Sequence, residues 1–196
     1  MNLPLAQSAT ITVIDFETTG SVAGYPVEPW QIGLVTLRNG RVEADTAWES
    51  LLRIDGTRPF NPRAPGRHAQ IRDQLAASPT LTDCLPALTP RLCGVPLAAH
   101  NIGTERTILT RAAPLHAFGP WIDTLALVRH AYPTLPSNSL DSVITALRLD
   151  ARLQTLAPPE RAPHDALYDA IACAVLLEHL LALPGWEALP LQSICK

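Results

Sequence analysis

Three short stretches of acid and histidine stand out from an otherwise apolar chain. Asp15-Phe16-Glu17 closes a β-branched apolar run. Strand side chains alternate, so the two carboxylates face the same side, about 7 Å apart along the backbone. Placed side by side and taken out of water unpaired they are costly. Either a positive group sits between them, or they lie at a solvated strand end and cap Thr18-Thr19-Gly20. His164 and Asp169 are five residues apart where the last helix begins, about 140° around a helix. They converge if His164 stands at the helix start with Asp169 one turn in; otherwise they are a capping His and a solvated Asp. Glu105 follows His100-Asn101 in the first turn of another helix, where an acid also suits the helix dipole. Together Asp15, Glu17, Glu105 and Asp169 carry −4, the charge that two divalent cations neutralise. Oxygen donors with no cysteine and no histidine pair suit Mg²⁺ or Mn²⁺ better than zinc.

The elements that must position these groups read as an α/β domain. Residues 10–16 form a short apolar run that suits a buried central strand. Residues 31–37 and 42–47 flank Asn39-Gly40, a strong signal for a two-residue hairpin, and 47–54 either adds a third piece to this meander or extends a strand. From 54 to 77 the pattern dissolves into proline, glycine and arginine, a loop or short-helix segment. Leucines 81, 85, 88 and 92 then recur at helical spacing, with Pro90 expected to kink or end that helix. Strands at 95–99 and 121–123 alternate with helices at 103–113, 124–132, 139–149 and 163–183, the last with Pro163 in its first turn. An antiparallel meander followed by alternating strand and helix gives a mixed sheet with helices on its faces. Residues 184–196 read as a loosely attached tail.

Composition narrows the choice of function. With 196 residues, 47% of them hydrophobic and 17% charged, the chain fits one packed domain. Fifteen basic against 18 acidic residues leave a net charge of −3, so any nucleic-acid partner must be held locally. The apolar stretch at 170–183 is broken by Glu178 and His179, too short to cross a bilayer. The first 14 residues lack the pattern of a secretory signal. Cys84, Cys93, Cys173 and Cys195 form no C-x-x-C pair and read as reduced thiols, all of which suggests a cytoplasmic protein with no membrane association. Serine-hydrolase, Walker, dinucleotide-binding and zinc-protease signatures are missing.

Taken in order, Asp15-Phe16-Glu17-Thr18-Thr19-Gly20, then Ala99-His100-Asn101 with Glu105, then His164 with Asp169-Ala170, resemble the three motifs of the DEDDh, or DnaQ-like, 3′-5′ exonucleases. That family includes the proofreading epsilon subunit of bacterial DNA polymerase III. The resemblance runs from about Ile11 to Leu183 and implies an exonuclease domain over 1–183 followed by a short tail, 184–196. It further implies a ribonuclease H-like mixed five-stranded sheet, an antiparallel meander plus parallel strands, flanked by helices. By the same resemblance, two Mg²⁺ or Mn²⁺ ions are expected: Asp15 bridging both, and Glu17 and Asp169 holding the one that binds the attacking water. His164 would take that water's proton, and the second ion would stabilise the departing 3′ oxygen. Thr18, Thr19 and Gly20 would receive the terminal nucleotide, and His100 and Asn101 would either orient the site or secure the strand–helix turn.

Where the family's second motif usually runs His-Asn-Ala-x-Phe-Asp, this chain has His100-Asn101-Ile102-Gly103-Thr104-Glu105, so the acid is one methylene longer and the phenylalanine is missing. The expected activity is release of 5′-mononucleotides from single-stranded DNA 3′ ends in the proofreading or repair class, with a DNA polymerase as a possible partner. Two competing readings are an exoribonuclease and a catalytically silent module that binds nucleic acid or a polymerase. Asp123 reads as a cap for the following helix, and the arginines between Arg53 and Arg72 either track phosphates or are solvated.

Overall fold

The computed structural model describes residues 4–196. Five strands form one sheet in the order β3-β2-β1-β4-β5. β1 (Thr10–Thr18) runs antiparallel to β2 (Pro29–Arg38), which pairs antiparallel with β3 (Arg41–Leu51). β4 (Leu97–Ala99) and β5 (Trp121–Asp123) then add parallel strands on the other side of β1. The turn between β2 and β3 is the Asn39-Gly40 pair, both with positive φ, at 50° and 69°, the geometry of the two-residue hairpin that this dipeptide favours. Residues 47–51 continue β3 past a register shift rather than forming a separate strand.

β1 sorts its side chains by alternation. Ile11 and Val13 join a core shared with α7 (Ala166–Leu181), whereas Ile14 and Phe16 join a second core under α2 (Leu81–Leu92) and α3 (Gly103–Ala112). Asp15 and Glu17 continue the first series, so they face α7 at the strand end where the apolar packing stops. α2 runs through Pro86 and Pro90 to Leu92: each proline removes one backbone hydrogen bond, and burial of Leu81, Leu85, Leu88 and Leu92 along one face holds the helix together. α1 (Arg72–Ala77), α4 (Thr124–Ala131), α5 (Leu140–Ala146), α6 (Asp150–Gln154) and α8 (Leu191–Ile194) complete the chain. The expected helix at 139–149 is thus α5 alone, ended by Leu147 and a left-handed Arg148, with φ 57°, before α6 begins.

Three expectations need correction. α7 starts at Ala166, not at Pro163, because Asp165 is its N-cap and accepts hydrogen bonds from the Leu167 and Tyr168 amides. The tail is not loose: the Ala6 amide donates to the Leu189 carbonyl, the Leu191 amide to Pro4, and the Lys196 amide to Trp121 at the sheet edge, with Ile194 buried beneath. Finally, the arginine-rich segment is not simply solvated: Arg53, Arg63 and Arg67 are exposed, but Arg58 is buried and Arg72 half-buried. Arg58 is buried against Glu28 and the Tyr25 ring, Arg72 lies over Phe60 and donates to the Gly56 and Arg58 carbonyls, and Arg53 donates to Ser78. These cations tie the segment to the domain.

Candidate active site

Gly33 decides how closely the two halves of the site approach. It is the cross-strand partner of Asp15, and a Cβ there would lie 2.3 Å from the Ala166 carbonyl carbon and oxygen and 2.4 Å from the Leu167 nitrogen. The first turn of α7 therefore rests directly on the sheet beside Asp15, and no side chain larger than hydrogen fits between them. This brings Asp169, one turn into α7, over the end of β1. Ligand atoms of Glu17, His164 and Asp169 all fall within 4.8 Å of one another.

His164 reaches this cluster through backbone geometry rather than helix periodicity. Its φ is 67°, in the left-handed region that β-carbon-bearing residues avoid, and its amide donates to Asp169 Oδ2 at 3.0 Å. The imidazole stands at the exposed rim, while Glu17 and Glu105 are 8% and 4% exposed. Glu105 enters from the other side, in the first turn of α3, and its Oε2 is buried with no hydrogen-bond partner.

The electrostatics describe a site suited to a cation. Burial pushes Glu17 up to about 8, helped by Asp169 and Asp165. Burial likewise raises Glu105 to about 7, with Asp123 adding to it, and Asp169 to about 7, where the His164 amide bond opposes the rise. Asp15 is held well above the usual carboxylate range by burial and then by repulsion from Asp169, Glu105 and Glu17. It is the carboxylate on which the charge of the other three converges. Four acids at this depth cannot all ionise unless positive charge joins them. Hard oxygen donors and an orphaned Glu105 oxygen fit divalent cations of the Mg²⁺ or Mn²⁺ type, and these four side chains are the ones that would hold them.

The residues expected to receive a nucleotide divide into two groups. Thr18 and Gly20 line the turn after β1, where the Gly20 amide donates to Thr18 Oγ1 and Gly20 adopts φ 66° against Asn61. Thr19 is fully buried: its hydroxyl accepts from the Glu28 amide and Arg58 Nη2, so its side chain braces the turn. His100 also spends both ring nitrogens on the fold, one on Thr124 Oγ1 at 3.0 Å and one on the Asn138 carbonyl at 2.8 Å. It secures the strand–helix turn, the structural side of the two readings left open for it. Asn101 sits beside it at φ 75° with an exposed side chain, and its amide donates to Asp123 Oδ1. Asp123 caps α4 through the Ala126 amide and pairs with Lys196 Nζ at 2.8 Å.

Sequence reasoning missed the group beside the site. Gln31, opposite Glu17 in the sheet and wholly buried, donates from Nε2 to Glu49 Oε2 at 3.0 Å and to Asp165 Oδ2 at 3.1 Å. Arg161 donates from Nη1 to Asp165 Oδ2 at 2.6 Å and from Nη2 to Glu49, and Arg67 approaches Asp165 at 3.4 Å. This cluster locks the residue after His164. The signals were present but weak: a lone glutamine in an apolar strand, and an Asp immediately before a helical run.

The sheet order, the flanking helices and the acids gathered at the end of β1 define a ribonuclease H-like fold carrying a carboxylate-rich active site. A family model described as Exonuclease, of the RNase T type, matches residues 12–177. A DNA polymerase III subunit epsilon-like protein of Rhodobacter capsulatus is 27% identical over 175 residues; the match takes in 88% of this chain but only 24% of that protein, so the chain spans about a quarter of its relative's length. Among solved structures, exonuclease X in complex with 5′ overhanging duplex DNA is similar with a TM-score of 0.68 and 27% identity, covering 94% of this chain and 98% of that one. The nuclease domain of 3′hExo, a DEDDh family member bound to rAMP, shares the fold with a TM-score of 0.67 at 16% identity, over 91% and 94% of the two chains. The chain belongs to the exonuclease family of the RNase T type.

Proposed function

We propose that this domain is a metal-dependent exonuclease that removes 5′-mononucleotides from the 3′ ends of single-stranded DNA. The observation that carries this reading is a set of four acids, Asp15, Glu17, Glu105 and Asp169, gathered at the end of β1, with Glu17 and Glu105 buried, Asp15 and Asp169 half-buried, and one Glu105 oxygen left unpartnered. Bound divalent ions would supply charge neutralisation at the scissile phosphate and its leaving oxygen. The chain's own residues do the rest. Asp15, Glu17, Glu105 and Asp169 would hold the ions, with Asp15 the acid on which the charge of the other three converges. The His164 imidazole, at the rim and within 4.8 Å of the Glu17 and Asp169 ligand atoms, would accept a proton from the attacking water. As that water's oxygen bonds to phosphorus, the bond to O3′ of the preceding nucleotide breaks, and O3′ takes a proton from solvent. Thr18 and Gly20 edge the space that the terminal nucleotide would fill.

A DNA preference is supported by the relatives above, one a DNA polymerase III subunit epsilon-like protein and one solved on DNA. The longer Glu105 does not favour a silent module, because its carboxylate is as buried and as perturbed as its neighbours'. The test is digestion of 5′-labelled DNA and RNA oligonucleotides, single-stranded and duplex, in Mg²⁺, in Mn²⁺ and in chelator. Metal-dependent ladders shortening from the 3′ end of single-stranded DNA are expected. Faster digestion of RNA would move the substrate assignment, and no product in excess Mn²⁺ would end the enzymatic reading.

A further inference from the structure

We infer that the exposed face of α3 is a phosphate-tracking groove that carries the substrate strand upstream of its 3′-terminal nucleotide. The inference rests on the nuclease reading and deepens it. Beside the site, an open depression of about 570 Å³ lies over Ile102, Gly103, Arg106, Thr107, Thr110 and Arg111. A second, of about 250 Å³, shares Gly103, Thr107 and Arg111 with it and reaches Thr104 and Val27; a third, of about 200 Å³, continues past Val27 to Leu81. The shared residues make these one groove. One end of it lies at the helix turn that carries Glu105, so a strand with its last nucleotide in the site has this channel immediately next to it.

The groove has the chemistry for a phosphodiester chain. Gly103, Arg106, Thr107, Thr110 and Arg111 fall on one side of α3 at three- and four-residue spacing and all are exposed, while Glu105, Ile108 and Leu109 take the buried side. Arg106 has no acid paired with it among the described residues, and the hydroxyls of Thr104 and Thr110 likewise have no partner there. Arg111 uses Nη1 to hold the Val27 carbonyl at 2.9 Å and keeps its remaining donors. Glu28, at the far end, is already neutralised by Arg58. In a chain of net charge −3, whose other arginines near the site are largely committed to protein partners, this face offers uncompensated positive charge beside four acids. The two arginines stand about 7.5 Å apart along the helix axis and about 140° apart around it, so they border the same depression from two sides and can contact one backbone lying in it. Backbone contacts position a strand without reading bases, so DNA and RNA should be held alike.

The test compares the parent with Arg106→Ala, Arg106→Glu and the double variant Arg106→Ala/Arg111→Ala on 5′-labelled strands of two and twelve nucleotides, as DNA and as RNA. For the twelve-mers KM should rise about tenfold in Arg106→Ala and further in Arg106→Glu, with kcat retained, and the two-nucleotide substrates should be cleaved as by the parent. Losing both contacts should lower the slope of log affinity against log salt by about 1.4, the value for two single-strand phosphates. An equal loss on both lengths would place Arg106 at the chemistry and overturn the groove, as would unchanged KM on the twelve-mer. A loss confined to one sugar would overturn backbone recognition. Anisotropy of a labelled twelve-mer in chelator, with thermal melts confirming folding, reads the groove even if no variant cleaves anything. Weaker binding by Arg106→Glu there supports the groove independently of the nuclease reading, and equal binding sinks it.

Discussion

Two acidic clusters lie side by side on the α7 face of the sheet, and they are built on opposite principles. Further across the sheet, Glu49 and Asp165 are matched by Arg161, Arg67 and the Gln31 amide, so each buried oxygen meets a donor. One step away, Asp15, Glu17, Glu105 and Asp169 face each other with no arginine or lysine among them. The first arrangement is what a buried carboxylate needs in order to be structural. The second destabilises the metal-free chain wherever its acids ionise, a repulsion that a cationic ligand would relieve. Each cluster depends on the other: Asp165 repels the acids of the site, yet it also caps α7 and fixes the residue next to His164. The contrast teaches that the absence of a counter-charge, beside a cluster that has one, marks the functional pocket.

The contrast can be broken most sharply at Asp15. Asp15→Asn should reduce turnover by roughly 10³-fold or more, since several kcal/mol of transition-state stabilisation pass through the ions it would hold. It should also raise the melting temperature of the metal-free protein at pH 8 by a few degrees, because it removes a repelled charge. A variant that lost both activity and stability would place Asp15 among the structural acids. His164→Ala should lower turnover by roughly 10² to 10⁴ while calorimetric metal binding persists; unchanged turnover removes it from the proton transfer.

On the neutralised side the signs reverse. Arg161→Ala should cost about 3 kcal/mol, near the lower figure for opening a buried pair, seen as a drop in denaturant midpoint with metal absent. Turnover should fall as well, because the left-handed His164 backbone loses its anchor, and Arg161→Lys should recover part of both. Equal stability to the parent would show that the cluster holds nothing.

Metal and pH sharpen the comparison further. Glu17, Glu105 and Asp169 have folded values of about 8, about 7 and about 7, above those of free carboxyls. Between roughly pH 4.5 and 8 the folded metal-free chain therefore binds more protons than the unfolded one. Its stability is complete below that window and is lost as pH rises through it. Thermal melts in chelator should show a decline from pH 5 to pH 8. At pH 8 a divalent ion at 100 times its dissociation constant should return about 2.7 kcal/mol, and much less at pH 5, where protons occupy the acids. A flat profile would contradict the shared burial. The smallest change is Glu105→Asp, which should retain activity within about tenfold, whereas Glu105→Gln should lose most of it. If both match the parent in a steady-state assay, the unpartnered Glu105 oxygen serves no ion.

Much of this was readable along the chain. The hairpin at Asn39-Gly40, the strand ending in Asp15 and Glu17 and the alternation that follows are local patterns, set by turn chemistry and side-chain period. The acids could be named because three separated motifs each kept their internal spacing. What misled was also local: Pro163 looked like a first-turn residue, although Asp165 two positions on is the better cap. Arg58 and Arg72 could be read only as phosphate contacts or as solvated cations, because nothing nearby in sequence announces Glu28, Tyr25 or Phe60 as their partners.

The sequence by itself determined which side chains could bind cations, the strand and helix types that carry them, and the charge that must be balanced, since these follow from residue identity and periodicity. Only the tertiary structure decided that α7 rests on Gly33, that Arg161 and Gln31 neutralise one pair of acids and leave four others bare, and that α3 turns its arginines outward beside the site. The physical reason is that desolvation and Coulomb repulsion depend on distances between segments over a hundred residues apart, which no local pattern encodes.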